Sequence, residues 1–261
     1  MTSRGYDPIA LAAATEKVVV DGARRKYVQL GRPLRFYGGT TSATEVGCNL
    51  RCKFCFSDKP VWKPKKTGKF YTPEEVFDGL ARSARKHGHK IISASASEGT
   101  IGREHLLKLL DLVEDSEFVY VLETNGMTLG NDLDYVRALK KYTRLHVRVS
   151  IKGDSPEQYH ELTGADPESY ELPYRALQHL IGEGISCSAC LMASFSDDEG
   201  IQRVQKRLFE IHPGILKSLE IEKITLFPKV AERLAAASLE PLKARGIGTR
   251  GATPRRERAS T

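Results

Sequence analysis

Short apolar runs alternate with amphipathic segments along most of the chain, and this pattern predicts six strands that each lead into a helix. The strands are predicted where β-branched and other apolar residues cluster between turn residues. These runs lie at 40–46, 90–95, 118–123, 145–153, 185–192 and 219–226. The helical segments lie at 72–86, 103–113, 133–141, 170–182, 198–211 and 230–244. Strict alternation of strands and helices predicts an α/β fold with a parallel sheet and right-handed crossovers.

The two ends of the chain differ from this repeating region. The start contains a helix after Asp7 and a predicted hairpin at 27–37 that turns across Gly31–Arg32–Pro33. The end is rich in Gly, Pro, Arg and Ser and has no apolar period, which predicts disorder. We therefore divide the chain into an N-terminal cover segment at 1–39, a core domain at 40–245 and a disordered basic tail at 246–261.

Composition favours a soluble cytoplasmic protein. The chain has 261 residues, of which 40% are hydrophobic and 28% charged. It contains no apolar run of the ~20 residues that a membrane helix needs, so no membrane contact is expected. The first residues have no apolar stretch typical of a signal peptide. The five cysteines are an odd number, which argues against a disulfide framework and predicts a reducing compartment.

The net charge of +7 is concentrated in two places. The segment Lys59–Lys69 contains five lysines and no acid, and the stretch Arg245–Thr261 contains five arginines and one glutamate. The body of the chain is close to neutral, so the basic character belongs to one loop and one tail. Basic patches of this kind attract nucleic acids and other polyanions.

Three cysteines follow the first core strand at the spacing C-x3-C-x2-C, namely Cys48, Cys52 and Cys55. A structural zinc site requires four ligands, and no second cysteine cluster lies nearby. Three close thiolates suit a [4Fe–4S] cluster that keeps one iron free of protein ligands. The alternatives are a zinc knuckle and scattered core thiols. Because catalytic groups gather on loops after parallel strands, we expect the cluster at the carboxyl end of the sheet.

This cysteine triplet, with Phe54 before the last cysteine, resembles the signature of the radical SAM superfamily. The resemblance covers about residues 40–228 and implies an open (β/α)6 partial barrel of the TIM type. It also implies a [4Fe–4S] cluster on Cys48, Cys52 and Cys55 that binds S-adenosylmethionine. An external one-electron donor then drives reductive cleavage to a 5′-deoxyadenosyl radical, which abstracts hydrogen from a substrate. An oxidoreductase or activase is therefore expected.

The resemblance further implies which residues contact S-adenosylmethionine. The second strand ends in Ala96-Ser97-Glu98, where the family usually has Gly-Gly-Glu-Pro, so that only Glu98 matches. Thr124-Asn125-Gly126 resembles the Asp-Thr-Asn-Gly segment of the glycyl-radical activating enzymes, with Glu123 in place of Asp. Ser150 and Lys152 correspond to their Asp-Leu-Lys segment. The implied cofactor-binding residues are Phe54, Ala96, Ser97, Glu98, Asn125, Ser150 and Lys152.

Two further features receive predictions of their own. Cys187 and Cys190 are three residues apart on a predicted strand, so they face opposite sides and are expected to be core thiols and not ligands of a second cluster. The lysines of 59–69 follow the cysteine loop directly, and we expect them to overhang the mouth of the barrel and bind the substrate.

The sequence leaves three functions open. The first is activation of a protein partner, as in the glycyl-radical activating enzymes, favoured by the compact length and the Thr124–Gly126 segment. The second is modification of an RNA base, as in the wyosine-base synthases, with the lysines contacting phosphates and Trp62 stacking on a base. The third is a non-catalytic iron–sulfur electron carrier, although such a carrier more often has four cysteine ligands.

Overall fold

The computed structural model describes residues 5–245 and the backbone of 257–258. The strands are β1 (Val20–Asp21), β2 (Arg24–Leu34), β3 (Thr40–Glu45), β4 (Lys69–Tyr71), β5 (Ile91–Ser95), β6 (Val119–Thr124), β7 (Leu145–Lys152), β8 (Cys187–Met192), β9 (Glu220–Glu222), β10 (Ile224–Thr225), β11 (Ala244–Arg245) and β12 (Glu257–Arg258). The helices are α1 (Pro8–Val19), α2 (Lys59–Trp62), α3 (Pro73–His87), α4 (Arg103–Glu114), α5 (Met127–Asn131), α6 (Leu133–Leu139), α7 (Pro156–Thr163), α8 (Leu172–Gly182), α9 (Asp198–Ile211) and α10 (Pro228–Ala236).

Six parallel strands form the centre of the sheet in the order β3-β5-β6-β7-β8-β9. On the β3 side, β2 pairs antiparallel to β3, and both β1 and β4 pair with β2. The sheet path is open, because β9 does not pair with β3 within the described residues. The predicted α/β class and the open six-stranded partial barrel are therefore confirmed.

The two faces of the sheet differ in polarity, as the alternation along β7 illustrates. Val147, Val149 and Ile151 are fully buried in the main apolar core, which also contains residues of α8. The residues between them, Arg148 and Ser150, are polar and project from the other face. We call this second face, which carries Arg148, Ser150, Ser188, Cys190, Glu220 and Glu222, the inner face of the sheet.

Local sequence signals explain why α3 begins and ends where predicted. Thr72 and Glu75 form a capping box, in which the Thr72 hydroxyl accepts from the Glu75 amide and the Glu75 carboxylate accepts from the Thr72 amide. Gly88 ends the helix in the left-handed conformation, with φ of 67°, which a residue with a Cβ adopts at a cost.

The predicted N-terminal hairpin is wrong. Residues 24–34 form one continuous strand, β2, which runs antiparallel along β3. The pairing shifts register twice between Tyr27 and Arg32, and Gly31 has φ of 73° within this irregular stretch. The glycine therefore absorbs a bulge within one strand instead of reversing the chain, because pairing with β3 satisfies more backbone groups than an isolated hairpin.

The last predicted strand is divided, and the last predicted helix is shorter than expected. The sixth strand divides into β9 and β10, and β10 pairs with β11 outside the main sheet. The last helix, α10, ends at Ala236. Of the tail at 246–261, the structure describes the backbone of Glu257–Arg258, which pairs antiparallel with β9, and the other residues lie outside the described part. Within the described residues, no helix has the length and apolar character needed to cross a membrane.

Candidate functional site

The cysteine loop begins where β3 ends, at the carboxyl edge of the parallel strands. The Gly47 amide donates to the Pro60 carbonyl at 3.0 Å, and the Gly47 carbonyl accepts from the Glu98 amide at 3.0 Å. Further along, the Lys53 amide donates to the Leu162 carbonyl at 2.9 Å. Backbone bonds to three other segments therefore fix both ends of the cysteine loop.

The three thiols of this loop lie close together and are shielded from water. Burial raises the pKa of Cys48 well above its ordinary value, with the negative charges of Glu98 and Cys52 adding to the effect. Burial raises the pKa of Cys52 to about 12, opposed by the positive charge of Lys152. Burial also raises the pKa of Cys55. No disulfide links the described cysteines, so all three thiols are available as ligands.

The donor set of the loop fits an iron–sulfur cluster better than a structural zinc site. Three thiols leave one iron of a [4Fe–4S] cluster free of protein ligands. A structural zinc site is closed by four ligands. The amide nitrogen of the buried Asn49, the residue directly after Cys48, has no hydrogen-bond partner among the described residues. The loop therefore contains one buried donor that a bound group could satisfy.

Asn125 connects the end of β6 to the cysteine loop. Its amide nitrogen donates to the Asn49 side-chain oxygen at 2.7 Å and lies 3.9 Å from the Cys48 sulfur. Its side-chain oxygen accepts from the Met127 amide at 3.1 Å. Both asparagines are buried, and they are 76 residues apart in sequence. This contact places the predicted Asn125 at the cysteine loop.

Glu98 is the buried centre of the turn between β5 and α4. Its carboxylate accepts from the Thr100 amide at 3.2 Å, the Thr100 hydroxyl at 2.7 Å, the Thr124 hydroxyl at 2.5 Å and the Asn125 amide at 2.8 Å. These bonds join the turn to the end of β6. The Glu98 carboxylate is therefore occupied by protein donors, and the groups left for a ligand in this turn are mainly backbone groups.

The rest of the turn has a strained backbone, and hydrogen bonds to β2 and β3 hold it in place. Ala96 has φ of 74°, which is rare for a residue with a side chain, and the Ser97 hydroxyl donates to the Glu45 carbonyl at 2.9 Å. The fully buried Arg25 donates to the Glu98 carbonyl at 2.7 Å and to the Gly99 carbonyl at 3.0 Å. Strain of this kind persists only where the surroundings over-determine it, and it concentrates at binding sites.

Lys152 is the cation on the opposite side of the cysteine loop. Its ammonium group donates to the Ser150 hydroxyl and lies 6.0 Å from the centre of the Phe54 ring. Its positive charge opposes the rise that burial causes in the pKa of Cys52 and of Cys55. Phe54 in turn packs on Phe195, with ring centres 5.7 Å apart. The end of β7 therefore supplies a positive charge, and two aromatic rings lie next to it.

Deeper on the inner face, Arg148 lies between sulfur and carboxylate groups. It donates to the Cys190 sulfur at 2.7 Å, to Glu220 at 3.0 Å and to Glu222 at 2.6 Å. Cys187, three residues from Cys190, is not part of this group and packs against the main core. The possible ligand atoms of Cys190, Glu220 and Glu222 lie within 4.8 Å of one another, but the Arg148 guanidinium already supplies the positive charge between them.

An open groove of about 660 Å³ lies beside the loops that follow β7 and β8. Four of its ten lining residues are acidic, namely Asp154, Glu157, Glu161 and Asp197, and Arg203 and His160 are among the others. Phe195, which contacts Phe54, also lines it. The groove therefore begins next to the predicted cofactor site, and its size is that of a typical ligand pocket.

The structure brings the predicted site residues to one edge of the sheet. Asn125 lies beside Cys48, and the charge of Lys152 acts on Cys52. Lys152 also lies near the Phe54 ring and bonds Ser150. Cys55 is close enough to Cys52 to affect its pKa. Ala96, Ser97 and Glu98 form the adjacent turn, in which the Glu98 amide bonds the loop. Sequence reasoning missed Asn49, Phe195 and Arg148. An Asn directly after the first cysteine was a visible signal, whereas the other two depend on long-range packing.

Comparison with known proteins assigns the family. The model of the radical SAM superfamily matches residues 44–208. A probable GTP 3′,8-cyclase of Methanococcus vannielii is 28% identical over 122 residues, which are 46% of this chain and 38% of the relative. A GTP 3′,8-cyclase of Alkaliphilus metalliredigens is 24% identical over 160 residues, which are 58% of this chain and 47% of the relative. The chain thus spans less than half the length of these curated relatives.

Solved structures show the same fold at low sequence identity. TYW1 with a lysine-pyruvate adduct bound has a TM-score of 0.53 at 14% identity, covering 76% of this chain and 71% of that one. Streptococcus suis SuiB bound to S-adenosylmethionine has a TM-score of 0.52 at 17% identity, covering 69% of this chain and 38% of that one. The family match, the cysteine loop and the open six-stranded sheet agree: this chain belongs to the radical SAM superfamily, whose enzymes use a [4Fe–4S] cluster and S-adenosylmethionine.

Proposed function

We propose that this chain generates a substrate radical on a protein or peptide that binds across the carboxyl edge of the sheet. The observation that carries the proposal is the single loop with Cys48, Cys52 and Cys55, fixed beside a polar turn and an open groove. When bound, the cluster and S-adenosylmethionine supply a 5′-deoxyadenosyl radical that abstracts a hydrogen atom. An external one-electron donor provides the reducing electron.

Some residues around the cysteine loop hold the cluster, and others orient S-adenosylmethionine. The three cysteines hold the cluster, and the Asn49–Asn125 pair fixes the first of them by packing beside its sulfur. The strained turn Ala96–Glu98 offers backbone groups to the amino acid part of S-adenosylmethionine. Glu98 keeps that turn attached to β6, as its four accepted hydrogen bonds indicate.

The end of β7 orients the remaining parts of S-adenosylmethionine. Lys152 would hold its carboxylate by a charge-assisted hydrogen bond, and Ser150 positions the ammonium group of Lys152 for this role. Phe54 and Phe195 supply an apolar surface for the adenine ring. Both rings also keep water away from the reacting atoms, which protects a radical from quenching.

The acidic groove favours a peptide or protein substrate over a nucleotide. Asp154, Glu157, Glu161 and Asp197 outnumber the basic groups of the lining, so phosphate groups are repelled while amide and ammonium donors are accepted. A volume of about 660 Å³ accommodates several residues of an extended chain. The resemblance of Thr124–Gly126 to the glycyl-radical activating enzymes supports the same substrate class.

Nucleotide chemistry is the second candidate, because two curated relatives are named as GTP 3′,8-cyclases. The chain matches less than half of either relative, and its groove has the opposite charge to that expected for a triphosphate site. RNA base modification is separated from protein modification by salt-dependent RNA binding. A non-catalytic electron carrier is separated from both by the absence of S-adenosylmethionine cleavage.

The test begins with anaerobic reconstitution of the protein with iron and sulfide. We expect dithionite-driven formation of 5′-deoxyadenosine in the wild type and its loss in Cys52→Ala. Cys187→Ala is the matched control and should remain active, since that thiol packs in the core. Transfer of deuterium from labelled peptides into 5′-deoxyadenosine then identifies the substrate class. A fully active Cys52→Ala variant would contradict the proposal.

A further inference from the structure

The segment Lys59–Lys69 carries five exposed lysines, which we call the lysine patch: Lys59, Lys63, Lys65, Lys66 and Lys69. None of them forms a salt bridge with an acid in the part of the chain that the structure describes. Elsewhere, exposed lysines such as Lys108, Lys141 and Lys229 do pair with acids. The patch is therefore a local excess of positive charge that no acid pairs with among residues 5–245.

The patch lies beside the cysteine loop, on the antiparallel side of the sheet. Pro60 accepts from the Gly47 amide, and the Lys26 ammonium on β2 donates to the carbonyls of Pro64 and Lys65 at 3.2 Å each. Lys69 belongs to β4, which pairs with β2 and not with a central parallel strand. The acidic groove, in contrast, adjoins the loops after β7 and β8.

Trp62 links this surface to the cysteine loop. Two guanidinium groups lie near the centre of its ring, that of Arg51 at 6.0 Å and that of Arg233 at 5.7 Å. Arg51 donates to the Cys48 carbonyl at 2.6 Å, and Arg233 donates to the Cys55 carbonyl. Trp62 is 38% exposed, and Phe56, directly after Cys55, is 60% exposed. Aromatic and basic surface therefore adjoins the backbone of two ligand cysteines.

We propose that the lysine patch, with Trp62 and Phe56, is the docking surface for an acidic one-electron carrier protein. The proposal rests on the proposed function, which consumes one electron from an external donor for each S-adenosylmethionine that is cleaved. The carrier is oxidised by one electron in this step. Acidic side chains on the carrier complement the unpaired lysines, and exposed aromatic rings are typical centres of protein interfaces.

The placement favours an electron carrier over a substrate at this surface. A substrate must bring its reacting carbon to the radical, so it has to enter at the inner face or the groove. A carrier has only to approach the cluster from outside. The patch permits this because Pro60 in its segment bonds Gly47, and because the two arginines beside Trp62 bond the carbonyls of Cys48 and Cys55. The acidic groove therefore suits the substrate, and the basic patch suits an acidic electron carrier.

Binding is tested with an acidic flavodoxin as the probe. Trp62 is the only tryptophan of the chain, so its fluorescence reports on the patch without a label. We compare Lys59→Glu/Lys63→Glu/Lys65→Glu with the control Lys86→Glu/Lys206→Glu/Lys217→Glu, which changes the same charge at exposed sites elsewhere. The patch variant should bind flavodoxin roughly 30-fold more weakly and with a flatter salt dependence, whereas the control should bind like the wild type.

Activity with two reductants separates this proposal from the proposed function. In the patch variant, dithionite-driven cleavage of S-adenosylmethionine should persist, while cleavage driven by reduced flavodoxin should fall about as much as binding does. If the wild type does not cleave S-adenosylmethionine with dithionite, the proposed function is contradicted. The comparison of flavodoxin binding by the patch and control variants would still test the docking surface. Equal flavodoxin binding by the patch and control variants would overturn the docking surface. The docking surface would also be overturned if the patch variant lost transfer RNA binding or substrate turnover while it bound flavodoxin like the wild type.

Discussion

Replacement of Glu98 by Ala should destabilise the protein more than any substitution on its surface. The change removes a buried carboxylate that accepts four hydrogen bonds, at 2.5–3.2 Å. The two threonine hydroxyls can rotate toward other acceptors, but the amides of Thr100 and Asn125 keep their direction. Each buried amide left without a partner costs about 1–3 kcal/mol, so with the cavity we expect a loss of about 3–5 kcal/mol.

Glu98→Gln refines this expectation. Glutamine has the same shape and keeps one acceptor oxygen. Its amide nitrogen is a donor, however, and it faces a protein donor that in the wild type bonds the second carboxylate oxygen. We expect a loss of about 2 kcal/mol, intermediate between wild type and Glu98→Ala. Glu104→Gln is the control, because Glu104 forms an exposed pair with Lys108 that is worth at most about 0.5 kcal/mol.

Urea unfolding followed by far-ultraviolet circular dichroism measures these free energies, and iron content after reconstitution measures the effect on the site. The turn that Glu98 supports also bonds Gly47 and Asn125, so cluster yield should fall in the order of the stabilities. A loss below about 1 kcal/mol for Glu98→Ala would refute the reasoning, since it would mean that the buried donors find other partners.

Three further outcomes are expected. The double change of Cys187 and Cys190 to Ser should leave iron content per chain unchanged, and loss of about half the iron would reveal a second cluster. Arg148→Met should cost about 3 kcal/mol in urea unfolding, because the carboxylates and sulfur around it lose a buried cation, and Arg148→Lys should cost less. Burial lowers the pKa of His105 from 6.5 to about 4. The unfolded imidazole therefore gains a proton as the pH falls through 6.5 while the folded one remains neutral, so stability should decrease by up to about 3 kcal/mol between pH 6.5 and 4. His105→Asn should flatten this pH dependence.

Local signals were enough to predict the parallel core and the cysteine loop. The β-branched runs, the capping box at Thr72 and the glycine at 88 each act within a few residues, and the structure agrees with them. The predicted hairpin at 27–37 was wrong for the opposite reason. Whether Gly31 makes a turn or a bulge depends on pairing with β3, which the local sequence does not contain.

Long-range contacts explain what sequence reasoning could not supply at the site. Asn49 and Asn125 meet across 76 residues, and Arg148 meets Glu220 across 72 residues. Glu98 was predicted from a family motif as a cofactor contact, but only the fold shows that protein donors occupy its carboxylate. Separations of this size are decided by strand order and register, and a side chain's partner follows only when both are known.

The central claim is that three cysteines hold an iron–sulfur cluster with one iron open to S-adenosylmethionine. Electron paramagnetic resonance of the dithionite-reduced protein, recorded with and without S-adenosylmethionine, tests it most directly. The account predicts about four irons per chain and a [4Fe–4S]⁺ signal whose g-values shift when S-adenosylmethionine is added, because the ligand reaches the open iron. A signal that S-adenosylmethionine leaves unchanged, or a protein that binds one zinc ion in place of iron, would contradict it.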